Sequence, residues 1–387
     1  MKSIYLDNAA TSFPKPECVY EAVDACLRGG GSAFGRGSHS GTDAAGRLVA
    51  QCRQRVARVI DAESPEQVAF TFNCTDGLNL LLRGLLRPGD RVVTTTLEHN
   101  SVLRPLEQLR SEFELDVQHI DFDPGTGIVD VASLESALEK PTRLVVINHA
   151  SNVTGTVQPI ADITRAARKT GALVLLDAAQ TAGHLPFSVR ELRVDLLAAA
   201  GHKGMLGPLG TGFVYLRTGL QSELRPVRCG GTGTSSESIL QPDAMPAKLE
   251  SGNLNVPGIA GLNAAAEWIL NETVTALHQR LEILTHSLKS ALQKIPDVTI
   301  YAAEQSSSVG IVSLNIGSLD CRDVAVMLDQ SAGVQCRAGL HCAPLVHRTL
   351  GTFDRGGTIR LSPGPFTSEN EIAAVVEAID RIAASFR

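Results

Sequence analysis

Between about residues 66 and 217, short apolar runs rich in β-branched residues alternate with stretches of helical period. Residues 68–72 read as a strand and lead into a helical run at 77–86. Pro88-Gly89-Asp90 makes a turn before a second strand at 91–96, and further strands are expected at 143–148 and 173–177. Their apolar residues are continuous rather than alternating, as in strands buried on both faces. Strands separated by helices need crossover connections, so the sheet is expected to be mostly parallel.

A Gly/Ser-rich passage at 229–238 interrupts this pattern, and a single long helix is expected over 259–294, opened by Pro257 and Gly258 and linking two units. Beyond it the chain reads as a strand (311–316), a helix (320–331), a loop centred on Gly339 and a terminal helix (369–385). The expected organisation is α/β. Residues 1–20 join a small domain, 21–257 form a large mostly parallel domain with helices on both faces, and 258–387 form a smaller α+β domain. Neither an internal repeat nor a low-complexity tail is visible.

Composition narrows the function. The 387 residues are 43% hydrophobic and 20% charged, an ordinary globular balance. A net charge of −6 without any long Lys/Arg run gives no field for nucleic acid. Asp7 and Asn8 fall where a signal peptide needs its apolar stretch, and no run of about 18 apolar residues occurs, so a cytoplasmic protein without membrane contact is expected. Eight cysteines (18, 26, 52, 74, 229, 321, 336 and 342) are scattered without a C-x-x-C pair and read as reduced thiols, at least one of them chemical.

In open α/β sheets ligands bind beyond the carboxyl ends of the strands, so the polar residues there matter most. Asn73-Cys74-Thr75-Asp76-Gly77 follows the first strand at a helix start, a setting that suits an anion or simply an N-cap. The strand at 173–177 ends in Asp177, and Gly201-His202-Lys203-Gly204 follows the apolar run at 196–200, with glycines that would let backbone crowd a ligand. An Asp for a pyridinium nitrogen and a Lys for a Schiff base are what pyridoxal phosphate requires, although a salt bridge and a surface lysine would look the same. Cys336, Cys342, His341 and His347 lack the spacing of a zinc module, so no metal is expected. The run from Gly29 to Gly37 lacks the ending of a phosphate loop and reads as a flexible segment near the active-site mouth; His149 and His184 read as structural.

Taken together, Tyr5-Leu6-Asp7-Asn8-Ala9-Ala10-Thr11, Leu97-Glu98-His99-Asn100, Asn152 in His149–Thr156, Asp177 in Leu176–Gln180 and Lys203 after Gly201-His202 resemble the class V aminotransferases of fold type I. Arg337-Ala338-Gly339-Leu340-His341-Cys342-Ala343 is similar to the R-x-G-x-H-C-A motif of the group II cysteine desulfurases and selenocysteine lyases. The resemblance covers essentially the whole chain. It implies pyridoxal 5'-phosphate on Lys203, Asp177 at its ring nitrogen, His99 stacked on the ring, and Asn152 and Gln180 near the ring oxygen. It places Thr75, with Cys74 and Asp76 beside it, and His202 at the phosphate, and adds Asn253 to the cofactor-binding set. Arg360 would grip the substrate carboxylate, with Asn152 and His341 nearby.

The implied reaction takes sulfur from L-cysteine onto the Cys342 thiolate, leaving alanine, with His341 or His99 handling a proton. The implied partners are a sulfur-acceptor protein, in iron–sulfur cluster assembly or a related pathway, and a second copy of the chain in a homodimer whose 250–255 segment is donated across the interface. Selenocysteine lysis, another class V aminotransferase or lyase activity, and a non-catalytic sulfur-trafficking partner are the alternatives. Cys74, Ala200 and Asn253 stand where these relatives often carry hydroxyl residues, and Leu340 where they often carry a second histidine.

Overall fold

The computed structural model describes residues 3–29, 39–234, 236–301 and 307–387. Residues 30–37 of the glycine-rich run therefore lie outside the described residues. The chain opens with β1 (Ile4–Tyr5), α1 (Glu17–Arg28) and α2 (Ser40–Val59). It continues through β2 (Val68–Thr71), α3 (Cys74–Leu85), β3 (Arg91–Thr95), α4 (Asn100–Phe113), β4 (Asp116–Ile120), α5 (Val131–Ala137), β5 (Leu144–Asn148) and α6 (Ile160–Thr170). Then come β6 (Leu173–Asp177), β7 (Leu196–Ala200), β8 (Gly212–Leu216), α7 (Val256–Glu272) and α8 (Val274–Leu292). The remainder is β9 (Val298–Tyr301), β10 (Val312–Ile316), α9 (Cys321–Ala332), β11 (Val334–Gln335), β12 (Arg337–Gly339), α10 (Pro344–Thr349), β13 (Thr358–Leu361) and α11 (Glu369–Ser385).

Seven strands form one sheet in the order β2-β8-β7-β6-β5-β3-β4. Only β8 runs against its neighbours, so the carboxyl ends of β2, β3, β5, β6 and β7 share one edge. Successive residues of a strand face opposite sides. Val145, Ile147, Val174 and Leu176 accordingly enter a core with α2, α6 and α7, while Leu144, Val146 and Leu175 enter another with α3 and α4. Full burial on both faces is why these strands read as continuous apolar runs.

A four-stranded antiparallel sheet, β12-β13-β10-β9, packs with α8, α9 and α11 around a third core. Ile4 and Leu6 join that core, and β1 pairs in parallel with β11, so the start of the chain is built into the later unit.

Three expectations are corrected. The single helix at 259–294 is two helices, broken at Thr273, which has φ 68° and caps α8 by accepting the N–H of Ala276. Ile259, Leu262 and Ile269 of α7 pack in the core under the large sheet, whereas Leu284, Leu288 and Leu292 of α8 pack in the third core. One straight helix cannot serve both. The boundary drawn at 257/258 also falls inside α7, which packs with the larger unit. The loop centred on Gly339 begins instead as strand, with Gly339 the last residue of β12.

Candidate active site

The carboxyl ends of five strands open on a solvent-connected cavity. Cys74 and Thr75 reach it from the start of α3, His99 from the start of α4, and Asn152 from the loop after β5. Asp177 and Gln180 come from the end of β6, His202 and Lys203 from the turn after β7. The parallel crossover topology makes this convergence: each strand ends at the same edge before its chain turns into a helix.

At the floor, Oδ1 of Asp177 accepts the Ala179 N–H at 2.9 Å and the Cys74 thiol at 3.4 Å. Among the described residues nothing donates to Oδ2, which leaves that oxygen for a ligand. Burial pushes the Asp177 carboxyl up, against the Ala179 N–H, the Lys203 charge and the Cys74 thiol. The same burial pushes the Lys203 ammonium down, with the Asp177 charge opposing it. A lysine that sheds its proton more readily is the form that attacks a carbonyl carbon. Cys74 is driven well above the ordinary thiol range by burial and by Asp177, so it stays a neutral donor.

His99 caps α4, its ring Nδ1 accepting the Ser101 N–H at 3.0 Å. The Ser101 hydroxyl lies 2.8 Å from the same nitrogen and 2.7 Å from the Thr75 hydroxyl, which ties the starts of α3 and α4 together. Burial and the Lys203 charge push His99 down to about 3, and burial with Lys203 and Lys15 pushes His202 down to about 4. Both rings are neutral in the working range of pH.

The cysteine turn docks beside this cavity. The Cys342 carbonyl accepts the Asn100 N–H at 2.7 Å, and the His341 carbonyl accepts the Asn152 side-chain amide at 2.7 Å. His341 (φ 48°) and Cys342 (φ 58°) are consecutive left-handed residues. Such a conformation costs of order 1–3 kcal/mol per non-glycine residue and is held only when its surroundings over-determine it. Here two hydrogen bonds supply that, one from Asn152 of the cavity lining and one from Asn100 at the start of α4. Arg337 Nη2 lies 3.5 Å from Cys342 Sγ.

Other expected residues stand apart. Asp76 turns back to the Phe72 N–H at 3.0 Å and to Arg228 at 3.4 Å, away from the cavity. Asn253 lines a different cavity with Phe70, Arg228 and Glu250. The His341 ring is buried against Thr358, with Nε2 3.0 Å from its carbonyl, and only its backbone reaches Asn152. Gly201 and Gly204 crowd protein rather than ligand: a Cβ on the first would strike Thr211, and one on the second Ala182 and His184. Arg360 is buried one layer behind, bonded to Asp7 and to the Asn152 carbonyl. Ser101 and Asn148 also line the cavity, beyond the expected residues. Their signal in the sequence was position alone, at a helix start and at a strand end.

This arrangement suits pyridoxal phosphate: a primary amine, a carboxylate with one free oxygen and a helix start meet in one cavity. The profile of the class-V aminotransferases matches residues 4–375, and the chain belongs to that family. As a member it is a pyridoxal-phosphate-dependent enzyme of fold type I. Within the family it is similar to cysteine desulfurases. It is 38% identical to a probable cysteine desulfurase of Methanothermobacter thermautotrophicus over 98% of this chain and 94% of that one. The cysteine desulfurase of Thermococcus onnurineus superposes with a TM-score of 0.92 at 30% identity, over 99% of this chain and 95% of that one. A cysteine desulfurase of Escherichia coli, solved as its S-sulfonic acid, gives 0.88 at 28% identity, again over 99% and 95%.

Proposed function

We propose that this enzyme is a cysteine desulfurase that converts L-cysteine to L-alanine and takes the sulfur onto Cys342. The observation that carries this reading is the 2.7 Å bond from the Asn100 N–H to the Cys342 carbonyl, which sets the cysteine turn against the residue that follows His99. A transaminase needs no thiol there.

When bound, pyridoxal phosphate supplies an electron sink for the charge left when the substrate loses its Cα proton. Lys203 would hold the cofactor and, once released, would take that proton on its amine. Asp177, through its free oxygen, would keep the ring nitrogen protonated. His99 would cover the ring, Asn152 and Gln180 would serve the ring oxygen, and Thr75 and His202 the phosphate. Arg360 takes the substrate carboxylate with its planar fork. The Cys342 thiolate attacks the substrate sulfur, the carbon–sulfur bond breaks, and a persulfide remains on Cys342 while alanine leaves. Atoms balance without an external oxidant or reductant.

Delivery of that sulfur to an acceptor protein, as in iron–sulfur cluster assembly, belongs to the same reading, as do a homodimer and a cytoplasmic setting. A division at about residue 20 and at the α7–α8 break would let the unit carrying Cys342 move against the cofactor-binding unit. The deciding experiment incubates purified protein with L-cysteine and L-selenocysteine and measures alanine with sulfide or selenide. Alanine in step with sulfide supports the reading; a keto acid without sulfide overturns it.

A further inference from the structure

Glu98 lies in the turn from β3 into α4, between Leu97 and His99, and is fully buried. Its Oε1 accepts the Thr95 hydroxyl at 2.7 Å and the Asn148 backbone N–H at 3.1 Å. The Asn148 side-chain amide answers by donating to the Leu97 carbonyl at 2.7 Å. The ends of β3 and β5 are thus clasped just where they deliver His99 and Asn148 to the cavity.

The clasp leaves an imbalance. Oε2 of Glu98 and Oδ1 of Asn148 are both buried acceptors without a partner among the described residues. A carboxylate would add only acceptor capacity, whereas a carboxylic acid brings an O–H donor into a place short of donors. The charges point the same way. Thr95 and Asn148 meet Glu98 from β3 and β5 as neutral groups, His99 and His149 are neutral imidazoles, and the charge acting on Glu98 is the Asp177 carboxylate. Lys203 acts on Asp177 instead. Burial, with Asp177 adding to it, pushes Glu98 up to about 8.

We propose that Glu98 is a positioning residue working as an un-ionised carboxylic acid, clasping the turn that aims His99 and Asn148 at the cavity and leaving the carboxylate charge there to Asp177. The inference rests on the reading of this cavity as the pyridoxal-phosphate site, and not on which amino acid is its substrate.

The test uses the holoenzyme with Glu98→Gln and Glu98→Ala variants. Infrared spectroscopy of the wild type at pH 7 should show a protonated-carboxyl band that fades as pH passes about 8 and is missing from Glu98→Gln. In urea unfolding, the folded wild type keeps a proton that the unfolded chain releases above the ordinary carboxyl value of 4.5. The wild type should therefore lose stability relative to Glu98→Gln by up to about tenfold in the unfolding constant per pH unit, from 4.5 until about 8, and no further beyond. Glu98→Gln should retain pyridoxal phosphate through gel filtration, and Glu98→Ala should release it. Parallel stability curves, or a Gln variant that sheds cofactor as the Ala variant does, overturn the proposal. If the Gln variant does not fold, absence of the wild-type band at pH 7 overturns it alone. Failure to release sulfide with these results intact would count against the proposed substrate and leave Glu98 in its role.

Discussion

The carboxylate of Asp7 holds the guanidinium of Arg360 at 2.9 Å across 353 residues of chain. The other terminal nitrogen donates to the Asn152 carbonyl at 3.0 Å, and the buried Nε has no partner among the described residues. In its proposed role Arg360 would offer a substrate carboxylate a guanidinium already aimed by Asp7, with Nε still able to donate. Arg360→Ala should weaken cysteine binding by about 2–5 kcal/mol in a cofactor-absorbance titration, because it removes a desolvated, charge-assisted contact. Arg360→Lys should not restore it, since an ammonium lacks the planar fork. Unchanged binding in the Ala variant would take Arg360 out of the substrate site.

Sulfur should map to one cysteine. Cys336 lies six residues from Cys342, but burial pushes its thiol up to about 12, so at neutral pH it is not a nucleophile. Enzyme given cysteine without reductant should gain one sulfur on the Cys342 peptide, removable by dithiothreitol. Cys342→Ser should lose alanine release while Cys336→Ser keeps it. Extra mass on Cys336 would reverse the assignment.

Borohydride reduction should fix the cofactor to Lys203, and Lys203→Ala should abolish that adduct without unfolding the chain. Peptide mapping to any other lysine would refute the role given to Lys203.

Stability should depend on a pair outside the cavity. Glu250 accepts both guanidinium nitrogens of Arg53, at 2.7 and 2.9 Å, and the Phe70 N–H at 2.6 Å, all buried within one chain. Glu250→Ala leaves Arg53 as a buried unpaired cation and should cost about 3–5 kcal/mol in urea unfolding. A smaller loss than about 1 kcal/mol would mean that solvent reaches Arg53.

Acid should unfold the protein steeply. Burial holds His99 and His149 down to about 3 and His184, His202 and His347 down to about 4, against an ordinary 6.5. Below 6.5 the unfolded chain binds protons that the folded chain refuses, so this stability is present above about 6.5 and is lost as pH falls toward 4. Glu98 runs the other way, by one proton at most. The pH dependence of urea midpoints between 6 and 4 should correspond to more than one proton, and a slope of one or less would contradict the burial of these rings.

Much of this molecule was determined by local sequence. The strands ending in Asp177 and Ala200 lie where their apolar runs end, because a strand covered on both faces admits only apolar side chains. Asp177 and Lys203 stand out because the first polar residues beyond such runs fall at the edge where parallel strands finish. The terminal helix matches its reading from Glu369 to Ser385, bounded by the Ser368 capping box. Edge strand β4 was illegible, since Asp-Val-Gln-His-Ile is only partly buried and lacks an apolar run, and β13 was hidden by Arg360 within it.

Tertiary structure alone decided the rest. The break at Thr273 carries no Gly or Pro and exists because α7 and α8 serve different cores. Asp76 stands beside Thr75 in sequence yet turns away from the cavity toward Arg228, and Asn253 lines a separate cavity with Phe70. Asp7 meets Arg360, and Asn100 meets Cys342, only because β1 pairs with β11 and the small sheet docks its cysteine turn on α4. Hydrophobic period is a property of neighbours in sequence, whereas which polar atom answers which is set by packing between segments hundreds of residues apart.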